Sequence, residues 1–191
     1  LTVQYVVNGF GFLFVAGFTA ANKLYGVLEM ASLSYGYAIT TYVGQNLGAK
    51  KYRRIRNGVR SGVYMALITS IVISGVMVIT GRNILSLFVS GEAGQVKQVL
   101  DIAYKYLFIM AIFLWVLYLL YVYRSAIQGL GNTLIPLASG VVEFCMRVGV
   151  ALLLPKLIGE DGIFYAEISA WSGAAILLIV SYVVIIRKYK E

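Results

Sequence analysis

Residues 48–80 read GAKKYRRIRNGVRSGVYMALITSIVISGVMVIT, and this stretch determines the class of fold. Its second part, residues 63–80, is 18 residues long and contains no charged side chain. An apolar run of this length can cross the ~30 Å hydrocarbon layer of a membrane as a helix. The first part has six Lys or Arg residues within eleven positions and no acidic residue, a pattern typical of cytoplasmic loops. The stretch therefore predicts a membrane-spanning helix that begins at the cytoplasmic side.

Further apolar runs with few or no charges occur at residues 106–123, 133–147 and 163–186. Hydrophobic residues make up 60% of the chain and charged residues 13%, whereas ordinary soluble domains have about 45–50% and about 25%. Backbone groups in lipid must be satisfied within the spanning segment, which favours helices. The composition therefore predicts an all-α integral membrane protein.

The net charge of +8 does not indicate a nucleic-acid-binding protein, because the basic residues flank apolar segments. We expect them to contact anionic membrane lipids instead. The single cysteine, Cys145, lies in an apolar run, and the chain has no histidine. No metal-ligand cluster, phosphate-binding glycine loop or activated nucleophile is recognisable. We therefore expect no cofactor, no metal site, no nucleic-acid partner and no enzymatic activity.

The chain divides into one partial and five complete helices. Residues 1–22 contain no charge and could form a span alone, but only Lys23 would then remain as a loop. A break at residues 8–11, NGFG, is favoured because Asn-Gly is typical of turns. The predicted helices cover about residues 1–7, 13–47, 58–80, 101–128, 133–154 and 163–186.

Basic residues define the predicted orientation of these helices. The loop at residues 50–60 and the tail at residues 187–190 are both basic, and counting helices places both in the cytoplasm. The loop at residues 155–162 carries two acids and is predicted to lie outside. A turn at residues 81–83 and a short interfacial segment at residues 84–89 are predicted to join the third and fourth helices.

Glu143 and Arg147 stand four residues apart in the middle of an apolar helix, so they share a face and are expected to pair. A charge at the bilayer centre costs about 2.5–3.5 kcal/mol on insertion scales, so such residues normally face a bundle interior or a wet cavity. Glu143 could be a cation or proton site whose affinity Arg147 adjusts. Alternatively, the two residues form a permanent ion pair that holds helices together.

Glu29 is the other acid in the middle of a predicted helix, with Tyr25 near its face at helical spacing. A carboxylate beside hydroxyl groups and small residues suits transient binding of a proton, Na⁺ or a cationic substrate. The alternative interpretation is a hydrogen bond that packs two helices.

Arg124 lies near the inner end of its helix, where it could contact an anionic substrate or anchor to lipid headgroups. Trp115 and Tyr118 precede it on the same helix. Their rings could receive lipophilic cations through cation–π contacts, or they could pack helices together. The sequence leaves both alternatives open for each residue.

Three motifs resemble the multidrug and toxic compound extrusion (MATE) family: YVGQNLGAK at residues 42–50, YRSAIQGLGNT at residues 123–133 and EFCMR at residues 143–147. The resemblance implies a transporter of twelve helices in two six-helix lobes, which exports drugs while Na⁺ or H⁺ enters. It identifies this chain as the C-terminal lobe and the N-terminal lobe as its missing partner. The residues that carry the family motifs are Gly44, Gln45, Asn46, Gly48, Gln128, Gly129 and Gly131.

One departure affects the ion site that the resemblance implies. Some family members bind Na⁺ in this lobe through acids on helices seven and ten, whereas residues 1–7 and 106–123 here contain none. Coupling could therefore rest on an acid in the absent lobe, with Glu29 or Glu143 secondary.

Three functional hypotheses follow. The leading one is a secondary antiporter in the plasma membrane that exports small cationic drugs in exchange for Na⁺ or H⁺. The second is a lipid-linked oligosaccharide flippase of the same superfamily, for which Arg124, Arg147 and Lys23 would be essential. The third is a membrane scaffold without transport activity, in which every buried polar residue is structural.

Overall fold

The computed structural model describes residues 2–189. The predicted start of the first helix at Leu1 and the last basic residue of the predicted tail, Lys190, lie outside the described residues. Short turns join the helices, and a 3₁₀ turn at Gly159–Ile163 precedes the last helix. The helices are α1 (Thr2–Asn8), α2 (Phe12–Gly48), α3 (Tyr52–Ser86), α4 (Ala93–Gly129), α5 (Leu134–Leu153), α6 (Pro155–Ile158) and α7 (Phe164–Ile186).

A glycine-containing turn separates α1 from α2. Gly11 has a φ of +93°, a conformation that residues with a Cβ rarely adopt. The helix that begins at Phe12 then continues for 37 residues, or about 55 Å at 1.5 Å per residue. Lys23 therefore lies within α2 rather than in a loop between two spans.

The third helix is longer than the sequence predicts. The prediction ends it near residue 80, with a turn at residues 81–83, whereas α3 continues to Ser86. Gly81 is buried, and a Cβ added to it would lie 2.6 Å from Leu107 Cδ2 of α4. This glycine permits close packing of two helices and does not form a turn. The predicted turn is therefore wrong, and residues 84–86 of the predicted interfacial segment belong to α3.

Three helical stretches of the described residues are long and apolar enough to cross a membrane: residues 52–86, 94–129 and 134–186. The third contains both α5 and α7, which α6 and the 3₁₀ turn separate. The part of the chain that the structure describes thus has five helices of 20 residues or more, in addition to the seven-residue α1. The chain is a multi-pass α-helical membrane protein.

The helix α4 lies at the centre of the bundle. It packs against α2, α3 and α7, while α5 packs mainly against α7. Its buried side chains include Tyr106, Met110 and Leu114. By contrast, α3 leaves Ile68 and Ile71 exposed, as expected for a helix with one face towards lipid.

Small residues allow α2 and α4 to approach closely. A Cβ added to Gly129 would lie 2.7 Å from Val43 Cβ and 2.8 Å from the Thr40 carbonyl oxygen. A Cβ added to Gly36 would lie 2.8 Å from Ser125 Oγ. Helix interfaces in membranes commonly use small residues in this way. The close α2–α4 contact positions the polar side chains of both helices against each other.

The two ends of the bundle are formed by different charged contacts. At one end, an Arg56 guanidinium N–H donates a hydrogen bond to the carbonyl oxygen of Tyr189, which joins the start of α3 to the basic tail. At the opposite end, Lys105 Nζ lies 2.6 Å from Asp161 Oδ2. The predicted loop at residues 50–60 is mostly helical, because α3 begins at Tyr52 rather than near residue 58. These basic residues and the tail after α7 lie together at one end, called the basic end below.

Candidate functional site

A cluster of charged side chains lies inside the bundle, at the junction of α2, α4, α5 and α7. On the α2–α4 side, the Tyr121 hydroxyl donates a hydrogen bond of 2.7 Å to Glu29 Oε1. Both side chains are partly buried. A carboxylate in this environment is costly unless it is hydrogen-bonded, paired with a basic group or neutralised by a bound ligand.

Arg124 of α4 is held by two residues of α5. Its Nη2 donates a hydrogen bond of 3.0 Å to Ser139 Oγ and forms an ion pair with Glu143 Oε1. The Arg124 and Glu143 side chains retain 21% and 18% exposure, so water reaches them only in part. This pair joins α4 to α5.

The predicted pairing of Glu143 with Arg147 is wrong. Arg147 Nη2 instead lies 2.8 Å from Glu167 Oε2 of α7, while Glu143 pairs with Arg124. Residues four apart on one helix share a face, but each of these two residues pairs with a side chain on a neighbouring helix instead. The two ion pairs connect three helices rather than two turns of one helix.

Glu167 is a site residue that the sequence prediction missed. The signal was present, because Glu167 is an acidic residue in the otherwise apolar run of residues 163–186. Glu167 lies one helical turn before Trp171 on α7, and the Trp171 ring stacks on Tyr25, which lies one turn before Glu29 on α2. This stack holds the two glutamate-bearing turns next to each other, so we group the ion pairs and Glu29 as one cluster.

The cluster has an excess of negative charge. Three carboxylates, of Glu29, Glu143 and Glu167, face two guanidinium groups, of Arg124 and Arg147, which leaves one net negative charge when all are ionised. Among residues 2–189, Glu29 has no basic partner and accepts its hydrogen bond from Tyr121. Glu29 is therefore the position in this cluster at which a bound cation or proton would restore neutrality.

The predicted aromatic residues have different environments. Tyr25 stacks on Trp171 with ring centroids 5.6 Å apart, which places this pair beside the charged cluster. Tyr118 is fully buried and packs at 6.0 Å against Tyr35. Trp115 is 45% exposed. The structure thus brings Tyr25 to the cluster, while Tyr118 packs between helices.

A cavity of about 190 Å³ opens between α2 and α4. Tyr121 and Arg124 contribute to both the cavity and the charged cluster. An aromatic wall beside a negatively charged cluster is a setting in which organic cations bind. The cavity is lined by Gly36, Tyr37, Thr40, Tyr121, Arg124 and Gln128, among others.

Most of the predicted motif residues lie at helix ends near the basic end of the bundle. Gly44, Gln45 and Gly48 belong to the last turns of α2, where Asn46 Nδ2 donates to the Tyr42 carbonyl oxygen at 2.8 Å. Gly131, with a φ of +80°, allows the turn between α4 and α5. Gln128 alone among them lines the cavity. Within the described part of the chain, no group of three or more His, Cys, Asp or Glu residues could hold a metal ion.

The fold and the interior charged cluster define a polytopic helical membrane protein with a candidate cation site. The MatE family model matches residues 1–153 of this chain. The chain belongs to the MatE family.

Individual relatives agree with this assignment. The chain is 25% identical over 162 residues to the probable multidrug resistance protein YoeA of Bacillus subtilis (strain 168), covering 85% of this chain and 30% of that protein. Two solved structures share the fold. A MOP superfamily transporter from Pyrococcus furiosus, described as having a binding pocket of reverse polarity that suggests a different function, superposes with a TM-score of 0.87 and 18% identity.

A mutant of the Vibrio cholerae MATE transporter VcmN superposes with a TM-score of 0.86 and 21% identity. The chain is covered to 99% and 97% in these two superpositions, but it spans only 43% and 42% of the solved chains. It also spans less than a third of the Bacillus relative. The activity of a complete transporter therefore belongs to the proposal below.

Proposed function

We propose that this chain forms one six-helix lobe of a secondary antiporter that exports organic cations in exchange for Na⁺ or H⁺. The single observation that carries the proposal is Glu29, the carboxylate of the interior cluster that no basic residue of the described chain neutralises. The interior location makes an uncompensated charge costly. A cation or proton that binds at Glu29 relieves this cost.

The charge balance of the cluster provides the basis for exchange. One net negative charge accommodates one positive charge at a time. A coupling ion and an organic cation therefore compete for the same negative charge. Carboxylate and hydroxyl oxygens, as supplied by Glu29 and Tyr121, are suitable ligands for a hard cation. The neighbouring cavity, with Tyr37 and Tyr121 in its wall, offers aromatic faces to a lipophilic cation.

The flippase hypothesis predicts available positive charge for an anionic substrate. Arg124 and Arg147 are each ion-paired with a glutamate, and Lys23 is exposed on α2. The cluster as a whole is negative, which favours cations over anions. The antiporter is therefore the better interpretation of this arrangement.

The remaining parts of the proposal concern the whole transporter. We infer a second lobe that completes the cavity, since the solved relatives are more than twice as long as this chain. We further propose that the basic end faces the cytoplasm, as its Lys and Arg residues favour, so that the C-terminus lies on the cytoplasmic side of the plasma membrane. We also propose that the complete protein is a transporter and not an enzyme, which its membership of the MatE family supports.

The test is ethidium efflux from cells that express the full transporter, compared between Glu29→Gln and Glu160→Gln. Glu160 is an exposed acid in the turn between α5 and α7, so its replacement removes the same charge outside the cluster. We expect Glu29→Gln to reduce efflux at least tenfold at equal membrane expression, while Glu160→Gln retains it. Unchanged efflux in Glu29→Gln would remove this residue from the mechanism.

The coupling ion is tested in the same cells by imposing a Na⁺ jump or a pH jump. Efflux driven by one gradient identifies the ion and supports antiport. If neither gradient drives efflux although the protein is present in the membrane, the antiporter proposal fails and the flippase takes its place.

A further inference from the structure

A second cavity, separate from the Glu29 cluster, lies at the basic end of the bundle between α3 and α7. It has a volume of about 410 Å³, and α4 contributes to its floor through Tyr123. No part of the proposed transport site reaches it. Its lining includes Arg56, Val59, Arg60, Val63, Tyr123 and Tyr182.

The charged side of this groove consists of two arginines one helical turn apart on α3. Arg56 donates one N–H to the Tyr189 carbonyl oxygen, and a guanidinium group has five N–H donors. Arg60 lies over the ring of Tyr64, 5.6 Å from its centroid, and its Nη2 lies 3.3 Å from the Tyr64 hydroxyl. Neither arginine pairs with an acidic residue among residues 2–189. Two exposed guanidinium groups with unused donors suit a phosphate group.

The rest of the groove is aromatic and apolar. Tyr123 and Tyr182 pack with ring centroids 5.3 Å apart and form one wall, and Val59 and Val63 also line the groove. A ligand that fits this groove must therefore combine an anionic group with a hydrocarbon part.

The surface of α3 extends this pattern away from the basic end. Tyr64, Ile68 and Ile71 follow Arg60 at helical spacing and are 54%, 63% and 67% exposed. They form an apolar stripe on the face that carries the arginine. The charge lies at the end of the stripe where the membrane interface is expected, and the hydrocarbon surface lies deeper, which is the polarity of a phospholipid.

We propose that this groove binds an anionic phospholipid from the leaflet at the basic end, with its phosphate on Arg56 and Arg60 and an acyl chain along the stripe of α3. A free phosphate would use the arginines but would gain nothing from the apolar wall and stripe. The lipid is therefore the occupant that the whole surface fits.

The test measures binding of phosphatidylglycerol and phosphatidylcholine to the full transporter in detergent by native mass spectrometry. Each arginine at an anionic membrane surface contributes a factor of about five to binding. We expect Arg56→Gln/Arg60→Gln to weaken the phosphatidylglycerol complex about 25-fold and to leave weak phosphatidylcholine binding unchanged. The matched control is Arg53→Gln/Arg54→Gln, which removes the same charge from the first turn of α3 but leaves the groove lining intact. Equal loss in both double variants would indicate general attraction to the basic loop and would overturn the proposal.

Arg56 also holds the tail after α7, so a second variant keeps the test independent of that contact. Val63→Trp fills the groove and retains every charge, and we expect it to weaken phosphatidylglycerol binding at least fivefold. Undiminished binding in Val63→Trp contradicts the groove. Competition by millimolar inorganic phosphate would show a site for free phosphate and would also overturn the phospholipid proposal; we expect no competition.

Discussion

Among single residues, Arg124 and Glu143 provide the sharpest test of how the interior charges stabilise the fold. Removal of one partner of a partly buried ion pair leaves an uncompensated charge, which costs about 3–5 kcal/mol. We expect Glu143→Gln to lower the free energy of unfolding by about this amount, and Arg124→Gln/Glu143→Gln to restore part of it. Thermal unfolding of the full transporter in detergent measures both.

The control for this prediction is Asp101→Asn, which breaks the ion pair with Arg82. The side chains of that pair are 48% and 52% exposed, and exposed pairs contribute about 0–1 kcal/mol. If Glu143→Gln were no more harmful than Asp101→Asn, the interior pair would have no special role in stability.

Sequence reasoning located most of the charged cluster but not its pairing. Glu29, Glu143 and Arg147 stood out because charges are rare in apolar helices. The ion-pair partners in the structure differ from the predicted ones because Arg124 and Glu167 belong to other helices. The sequence alone does not give the rotation of one helix against another. Glu167 was overlooked although the same rule of rare charges applies to it.

At the level of the helices, the close approach of α2 and α4 makes a prediction about glycine. A Cβ at position 129 would press on Val43 and on the Thr40 carbonyl oxygen, which requires the two backbones to separate. We expect Gly129→Ala to destabilise the protein by about 1–3 kcal/mol. It should also reduce transport, because Tyr121 and Arg124 on α4 would move away from Glu29 on α2.

Gly140→Ala is the matched control for the helix contact. Gly140 lies in α5, and a Cβ there would meet nothing within 4 Å. Alanine is the better helix former by up to about 1 kcal/mol, so the melting temperature should stay constant or rise slightly. Equal melting temperatures for the variants at positions 129 and 140 would contradict the close α2–α4 contact.

The helix layout illustrates which boundaries a sequence can specify. The turn before Phe12 is encoded locally, because Gly11 adopts a positive φ that other residues disfavour. The end of α3 is not encoded locally. Gly81 and Arg82 resemble a turn in sequence, yet their environment is tertiary: Gly81 packs on Leu107, and Arg82 pairs with Asp101.

For the molecule as a whole, the charged cluster is incompletely enclosed by the five long helices. Glu143 and Arg147 retain 18% and 35% side-chain exposure, and Arg124, the α4 partner of Glu143, retains 21%. In the antiporter proposed above, this partly exposed surface would be covered by the second lobe in one state and opened in another. We propose that the two lobes alternate access to a central site between them.

The last prediction concerns the orientation of the molecule in the membrane. Both basic segments lie at one end, and the rule that Lys and Arg remain in the cytoplasm predicts that this end faces the inside of the cell. In a full transporter with its other cysteines replaced, including Cys145→Ser, we expect a membrane-impermeant maleimide to label Glu160→Cys in intact cells. Asn57→Cys should be labelled only after permeabilisation, since Asn57 is exposed at the basic end.

The cysteine-free protein is the control for background labelling. The reverse pattern would place the basic loop outside, and two further conclusions would fall with the orientation. The phospholipid groove at Arg56 and Arg60 would then face the outer leaflet, which is less anionic than the cytoplasmic one. The cavity beside Tyr121 and Arg124 lies in the half of the bundle nearer the basic end. In the reversed orientation it would receive cations from outside the cell, which is opposite to the direction of the proposed export.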